Sequence, residues 1–179
     1  MAVSKRAFST QHSAFSKCGL NQQLELKASE SEMQTKTKTE ANIQQAVPFF
    51  RVSSMETSLR FYVDGLGFEM TKKWTPDGDS KVRWCWLQHG SAAIMLQEFR
   101  KEGPNAWRAE SKVGVGVSIS FQCKDALALY KEFKGRGIEA KRPFVGNGMW
   151  VTSVQDPDGY KLEFESLTDV AEETVFSDG

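Results

Sequence analysis

Histidine and cysteine, the side chains most often used as transition-metal ligands and in nucleophile–base pairs, are few in this chain and widely spaced. The 179 residues include only two histidines, His12 and His89, which lie far apart in the sequence. The three cysteines have no CxxC spacing, so a disulfide framework and a structural zinc site are both poor interpretations. Mechanisms that need a histidine cluster are therefore nearly excluded, and a reducing compartment is the simpler expectation.

The tryptophans point more clearly to a binding role. Trp84 and Trp86 lie two residues apart in a predicted strand, so their side chains share one face of it. Trp150 lies near the start of the corresponding strand in the second half of the chain. Indole rings on one sheet system offer broad flat surfaces for a planar ligand, although burial in a core is the alternative. Trp74 and Trp107 flank loops, and we expect less of them.

Composition excludes two classes of partner. Lysine plus arginine and aspartate plus glutamate each total 23, so the net charge is zero. Such a chain has no excess of cations with which to displace counterions from a nucleic-acid backbone. The longest uncharged, apolar-leaning stretch, residues 84–97 apart from His89, is too short to span a bilayer. We therefore expect neither nucleic acid nor a membrane as a partner. We expect the protein to be cytoplasmic.

The chain divides into a polar tail, one domain and a short acidic end. Residues 1–44 are rich in Ser, Thr, Gln and Lys and bury too little apolar surface to fold, which predicts a disordered tail. This tail has no acidic residue before Glu25, so a mitochondrial transit peptide is an alternative that the sequence leaves open. The predicted domain covers residues 45–168, and residues 169–179 form an acidic C-terminal tail.

The domain reads as two similar halves, at about 45–108 and 112–168, each a strand, a helix and three strands. Five positions recur 70 residues apart: Leu59, Val63, Gly67, Phe68 and Glu69 match Leu129, Phe133, Gly137, Ile138 and Glu139. In the first half, strands are predicted at 47–52, 68–74, 81–88 and 92–99, with a helix that starts at a Ser53–Glu56 capping box. In the second half, a strand alternates over 115–123, a helix follows Asp125, and strands cover 148–154 and 160–165.

The stretches "VPFFRVSSMETSLRFYVDGLGFE" (47–69) and "GMWVTSVQDPDGYKLEFE" (148–165) resemble the vicinal oxygen chelate superfamily of glyoxalases, bleomycin-resistance proteins and extradiol dioxygenases. The "AVP" start and the "GNGMW" segment are most similar to the bleomycin-resistance branch. This resemblance implies an α+β fold of two paired βαβββ modules, which form a curved, half-open mixed sheet around a cavity.

The enzymes that this chain resembles hold a divalent metal at four strand positions in that cavity. By the resemblance these positions fall on Val47, Met95 (or Gln97 if the strand slips by two), Ser118 and Glu163. Only Glu163 is a good ligand, whereas a catalytic zinc site normally keeps three protein ligands. We therefore expect no metal and no other cofactor.

The leading hypothesis is a metal-independent, homodimeric small-molecule binding protein that sequesters an aromatic or amphipathic compound, as antibiotic-resistance proteins of this type do. The predicted ligand-binding residues are Phe49, Arg51, Trp84, Trp86, Met95, Gln97, Ser118, Ser120, Trp150 and Glu163. The alternative is a glyoxalase-related lyase or isomerase. In it, Glu163 would ligate an atypical metal or act as a general base whose pKa is raised among tryptophans. A third interpretation is a degenerate module for assembly or regulation.

Overall fold

The computed structural model describes residues 42–99, 106 and 113–177. Residues Ala46–Gly179 form one compact unit. Most of the predicted tail at 1–44 lies outside the described residues, and so does Trp107. Within the described part of the chain, no helix is long and apolar enough to cross a membrane.

The unit has the α+β architecture that the sequence predicts, with two four-stranded mixed sheets and one helix associated with each. The first module contains β1 (Phe49–Val52), α1 (Met55–Leu59, continued by a π-helical segment, Arg60–Gly65), β2 (Glu69–Trp74), β3 (Trp84–His89) and β4 (Ala92–Glu98). The second contains β5 (Ser118–Gln122), α2 (Ala126–Gly135), β6 (Phe144–Gly146), β7 (Met149–Gln155) and β8 (Lys161–Leu167).

Both sheets have the same topology, as expected of a repeated βαβββ unit. The first has the order β1-β4-β3-β2 and the second the order β5-β8-β7-β6. In each sheet the strand that precedes the helix pairs in parallel with the last strand of its module, and the other pairings are antiparallel. The first strand thus crosses over to the far side of the module, and the helix of the crossover covers one face of the sheet.

Helix α1 starts one residue later than the capping-box pattern predicts. Its N-cap is Ser54, whose side chain accepts a hydrogen bond from the Thr57 backbone N–H. The Ser53 N–H is bound instead by the carboxylate of Asp158 in the other module, at 3.1 Å. Serine stands at both positions, so the tertiary contact decides which of the two caps the helix.

Gly67 ends the π-helical segment, as the sequence predicts. The Leu66 N–H donates to the carbonyl of Phe61, five residues earlier, at 2.9 Å, and Gly67 follows with φ of 78°. A left-handed conformation is accessible to glycine at little cost, so the chain can turn directly into β2.

One core joins the helix-facing sides of both modules. Phe50 of β1 stacks on Tyr160, which precedes β8, with ring centroids 4.1 Å apart. Phe68 meets Phe121 of β5 edge-on at 6.0 Å. Burial of these rings favours the packing of the two modules against each other. Each sheet therefore turns its other side, here called its open face, away from the core.

A buried polar pair also ties the modules together. The Tyr62 hydroxyl of the first module donates to Asp156 Oδ2 at 2.9 Å. The backbone N–H groups of Tyr160 and Asp158 donate to Asp156 Oδ1 at 2.8 and 3.0 Å. Burial raises the pKa of Asp156 and raises that of Tyr62 well above its ordinary value, where the nearby carboxylate adds to the effect. The turn that follows β7 is thus anchored to the helix of the other module.

The chain's last described segment covers the edge of the second sheet. Val145 of β6 exchanges backbone hydrogen bonds with this segment. Its N–H donates to the Thr174 carbonyl at 2.9 Å, and its carbonyl accepts from the Glu173 N–H at 3.0 Å. The Phe176 ring packs edge-on against Trp150 and Tyr130. Strand β6 was not located from the sequence, because three residues are too short to show a periodic pattern.

We expect Tyr62→Phe to lower the free energy of unfolding by about 1–3 kcal/mol, because it removes one donor from a buried carboxyl group. Urea denaturation measures the change. Tyr130→Phe is the matched control, since Tyr130 is also buried but its hydroxyl contacts the part-exposed Lys134 ammonium at 3.3 Å. Equal losses in the two variants would contradict the role given to the Tyr62–Asp156 pair.

Candidate functional site

The open face of the first sheet carries two rows of large side chains. Cross-strand register places Arg51, Gln97, Trp84 and Trp74 in one row across the four strands. The adjacent row contains Phe49, Met95, Trp86 and Lys72. Six of the ten ligand-binding residues predicted from the sequence lie in these rows: Phe49, Arg51, Trp84, Trp86, Met95 and Gln97.

Two further residues lie on this face: Trp74, of which the sequence leads us to expect less because it flanks a loop, and Lys72, which was not named from the sequence. Trp74 is the direct cross-strand partner of Trp84, and Lys72 is that of Trp86. The Lys72 ammonium lies over the Trp86 ring, 5.4 Å from its centroid, in a cation–π contact. The pattern Lys72-Lys73-Trp74 gives Lys72 and Trp74 the same parity, but a register shift between Met70 and Lys72 sets which face they share.

Much of this apolar surface is exposed in the single chain. Phe49 is 48% exposed and Trp74 is 47% exposed. Trp84, Trp86 and Met95 are partly buried. The side chains between them, Cys85, Leu87, Ile94 and Leu96, point to the core and are fully buried. Alternation along β3 and β4 therefore separates a packed side from an aromatic side that is free to contact another molecule.

The open face of the second sheet is polar. Ser118, Ser120 and Glu163 lie on it, because Ser118 pairs with Lys161 and Ser120 with Glu163 in the parallel register. The Lys161 ammonium contacts Glu163 Oε1 at 2.6 Å, and the Ser118 hydroxyl donates to Glu163 Oε2 at 2.5 Å. The hydroxyl of Ser153 donates to Glu163 at 3.5 Å. The predicted residues thus fall into an aromatic group and a polar group on different sheets.

The pKa of Glu163 is lowered, in contrast to the raised value expected of a general base among tryptophans. Partial burial acts to raise the pKa, but the bonds from Lys161, Ser118 and Ser153 stabilise the carboxylate and outweigh it. Trp84 and Trp86 lie on the other sheet of the same chain. The expected raised pKa of Glu163 was wrong, because the sequence shows which residues share a face of one strand but does not show which strands belong to the same sheet.

Trp150 lies on the opposite face of its sheet from Glu163. On β7, Ser153 shares the face of Glu163, whereas Thr152 donates to the Ala126 carbonyl of α2 at 2.7 Å. Trp150 is two residues from Thr152 and therefore faces the helix, where its ring meets Phe176 at 6.2 Å. The structure thus does not bring Trp150 together with the other predicted ligand-binding residues.

The positions that the resemblance assigns to a metal do not fit one. Val47 and Met95 belong to the first module, and Ser118 and Glu163 belong to the second. Glu163 is the one strong ligand among them, and its oxygens are bound by Lys161 and Ser118. Among residues 42–99, 106 and 113–177, no three His, Cys, Asp or Glu side chains cluster closely enough to hold an ion. No chemical step can be derived through a metal at these positions.

A cavity of about 470 Å³ lies at the end of the second sheet, between the turn Gly114–Val117 and the start of β8. Ser118 and Lys161 line its inner end. The backbone passes so close here that a Cβ on Gly114 would lie 2.1 Å from the Tyr160 nitrogen, which requires glycine at this position. The cavity therefore adjoins the polar group and lies apart from the tryptophans.

Comparison with known proteins gives a consistent result. The family model described as "Glyoxalase/Bleomycin resistance protein/Dioxygenase superfamily" matches residues 42–164. A lactoylglutathione lyase of Haemophilus influenzae is 24% identical over 118 residues, which cover 64% of this chain and 85% of that protein.

Solved structures share the fold. A bleomycin resistance determinant encoded on the transposon Tn5 aligns with a TM-score of 0.52 and 20% identity, over 72% of this chain and 100% of the other. TnmS3, an antibiotic binding protein from Streptomyces sp. CB03234, aligns with a TM-score of 0.51 and 19% identity, over 70% of this chain and 98% of the other.

We expect Glu163 to make stability depend on pH. Its folded-state pKa lies below the ordinary value of 4.5, so its contribution is present above pH 4.5 and is lost as the pH falls through the lower folded-state pKa. Urea titrations of the wild type and Glu163→Gln at pH 6 and pH 3.5 measure this. The free energy of unfolding of the wild type should exceed that of the variant at pH 6, and this difference should shrink at pH 3.5. A difference that is the same at both pH values would contradict the prediction.

Proposed function

Because the chain belongs to the glyoxalase/bleomycin resistance protein/dioxygenase superfamily, we propose that it is a metal-independent small-molecule binding protein that sequesters an aromatic or amphipathic compound. The observation that carries this proposal is the cluster of Trp74, Trp84 and Trp86 on the open face of the first sheet. Large apolar side chains with a few polar groups around them are typical of small-molecule sites.

The three tryptophans do not pack on one another, which supports a role in contacting a ligand. Within the described part of the chain, no ring contact joins Trp74, Trp84 and Trp86 to one another. Gln97 follows Trp84 in the row that contains Trp74 and Trp84, and Arg51 lies beyond it on β1. Both side chains can orient polar groups of a bound molecule. Stacking and burial would then supply most of the affinity, with the polar groups supplying orientation.

We further propose that the protein acts as a homodimer. The open face of the first sheet, which carries Phe49, Trp74, Trp84, Trp86 and Met95, is here called the aromatic face. It is accessible to solvent in the single chain, since Phe49 and Trp74 are each nearly half exposed. A surface of this kind is commonly covered by a partner. A second copy whose polar open face lies opposite the tryptophans would enclose a cavity with one apolar wall and one polar wall. The single chain alone supplies only one wall at each sheet.

A role in resistance to an antibiotic is one consequence of such sequestration. The Tn5 determinant and TnmS3, which share the fold, are named for bleomycin resistance and antibiotic binding.

We also propose that the protein is cytoplasmic. Cys85 and Cys123 are unpaired, and burial raises the pKa of the Cys85 thiol to about 11, so this thiol is unreactive at neutral pH.

Trp86→Leu should weaken the binding of planar aromatic compounds about tenfold or more, because stacking on one indole contributes on the order of 1 kcal/mol beyond its buried area. Isothermal titration calorimetry against a panel of aromatic compounds measures it. Trp150→Phe, on the helix side of the other sheet, is the control and should bind like the wild type. If no compound of a broad panel binds the wild type, the proposed function is wrong.

The homodimer predicts a sedimentation-equilibrium mass of about twice the chain mass of 20.1 kDa at micromolar concentration. The aromatic face should be involved, so Phe49→Glu should shift the equilibrium toward monomer. Lys73→Glu places the same charge on the other side of β2 and serves as the control. A wild type that remains monomeric at high concentration would rule out the dimer.

The second candidate is a glyoxalase-related lyase or isomerase in which Glu163 acts on the substrate or ligates a metal. Its support is the likeness to the Haemophilus influenzae lactoylglutathione lyase. A carboxylate held ionised by Lys161 and Ser118 is a weak base, so this candidate ranks below binding. Turnover of a hemithioacetal that is lost in Glu163→Gln, or stoichiometric metal in the purified protein, would place it first.

A further inference from the structure

The aromatic face differs from the polar face in its charge. In the rows that contain the tryptophans, the charged residues are Arg51 and Lys72, both cationic. The carboxylate on this face of the described strands is Glu69, which lies one row farther along, opposite Gln88. A molecule resting on the tryptophans would therefore meet positive charge at two sides and the Glu69 carboxylate at one end.

The Lys72 ammonium is held at the rim of this surface. It lies 5.4 Å from the centroid of Trp86, and among the described residues no carboxylate is within ion-pair distance of it. A cation that stacks on an indole keeps part of its hydrogen-bonding capacity for a third group. Lys72 is therefore positioned to bind an anionic substituent of a molecule that stacks beside Trp86.

The acidic residues of the second sheet do not supply that group within the same chain. Glu163 is bound by Lys161 at 2.6 Å and by Ser118 at 2.5 Å. Glu165 accepts a hydrogen bond from the Gln122 amide at 2.7 Å. Both carboxylates already have partners on their own sheet, so a second copy that brings this face near the tryptophans would have to break those bonds to neutralise Lys72.

From these contacts we propose that the ligand of the aromatic face is a planar aromatic anion: a flat ring system that stacks on Trp84 and Trp86 and carries a carboxylate, sulfonate or phenolate that binds Lys72. The proposal rests on the proposed binding function and names its ligand class. A carboxylate beside tryptophans would instead select a cationic ligand. In the proposed dimer the Glu163 that faces the tryptophans belongs to the second copy, and Lys161 and Ser118 of its own sheet already bind it.

The test uses three probes with the same ring and different charge: 2-naphthoate, 2-naphthylmethanol and 2-naphthylmethylammonium. Calorimetric titration of the full chain at low salt should give affinities in that order, with the anion at least tenfold tighter than the cation. Raising the salt concentration should weaken only the naphthoate, because the Coulomb attraction at a partly exposed site is screened.

Lys72→Gln should weaken naphthoate about fivefold and leave naphthylmethanol unchanged, since a partly exposed ion pair contributes on the order of 1 kcal/mol. Lys73→Gln is the matched control, because Lys73 is adjacent in sequence but pairs with Cys85 on the other side of β2. Trp84→Leu should weaken all three probes. Circular dichroism checks that each variant is folded.

The outcomes separate the inference from the function it rests on. If all three probes bind equally well, if the cation binds best, or if Lys73→Gln has the same effect as Lys72→Gln, the anionic ligand class is wrong while binding by the aromatic face stands. If none of the probes binds the wild type and the wider panel also fails, the proposed function is wrong as well.

Discussion

The whole architecture depends on a single apolar core that the helix-facing sides of both sheets share. Because Phe50 stacks on Tyr160 and Phe68 packs on Phe121, neither module can be removed without exposing the buried face of the other. Strand alternation then leaves each sheet with one outward face. The residues on these outward faces are thus a consequence of how the core is formed, and the Tyr62–Asp156 hydrogen bond also links the two modules.

The two outward faces have diverged although the modules share one topology. The first sheet presents indole, phenyl and thioether groups with cations at the rim, and the second presents serine, glutamine, lysine and glutamate. In the proposed dimer, one apolar and one polar face would meet, which supports the proposal of an amphipathic ligand. Of the positions that the resemblance assigns to a metal, Val47 and Met95 contribute no strong donor, and the carboxylate of Glu163 is bound by Lys161.

The C-terminal segment covers the outer edge of the second sheet, at strand β6, which was not located from the sequence. Strand β6 has three residues and one free edge, and Glu173–Phe176 covers that edge with backbone hydrogen bonds. The Glu172 carboxylate accepts from the Asn147 and Gly148 N–H groups at the tip of the β6–β7 hairpin. Covering the edge blocks unwanted strand pairing, and Phe176 at the same time packs against Trp150.

Local sequence patterns predicted the repeated βαβββ order, the ends of α1 and α2 to within about two residues, and which strand residues share a face, because alternation and glycine turns are local properties. They did not determine that Trp74 and Lys72 join Trp84 and Trp86, since a register shift in β2 sets that pairing. Nor did they show that Trp150 faces α2, or that Glu163 lies among Ser118, Ser153 and Lys161 rather than among indoles. These contacts depend on the packing of two sheets against one core, which brings together residues that are far apart in the sequence and share no local pattern.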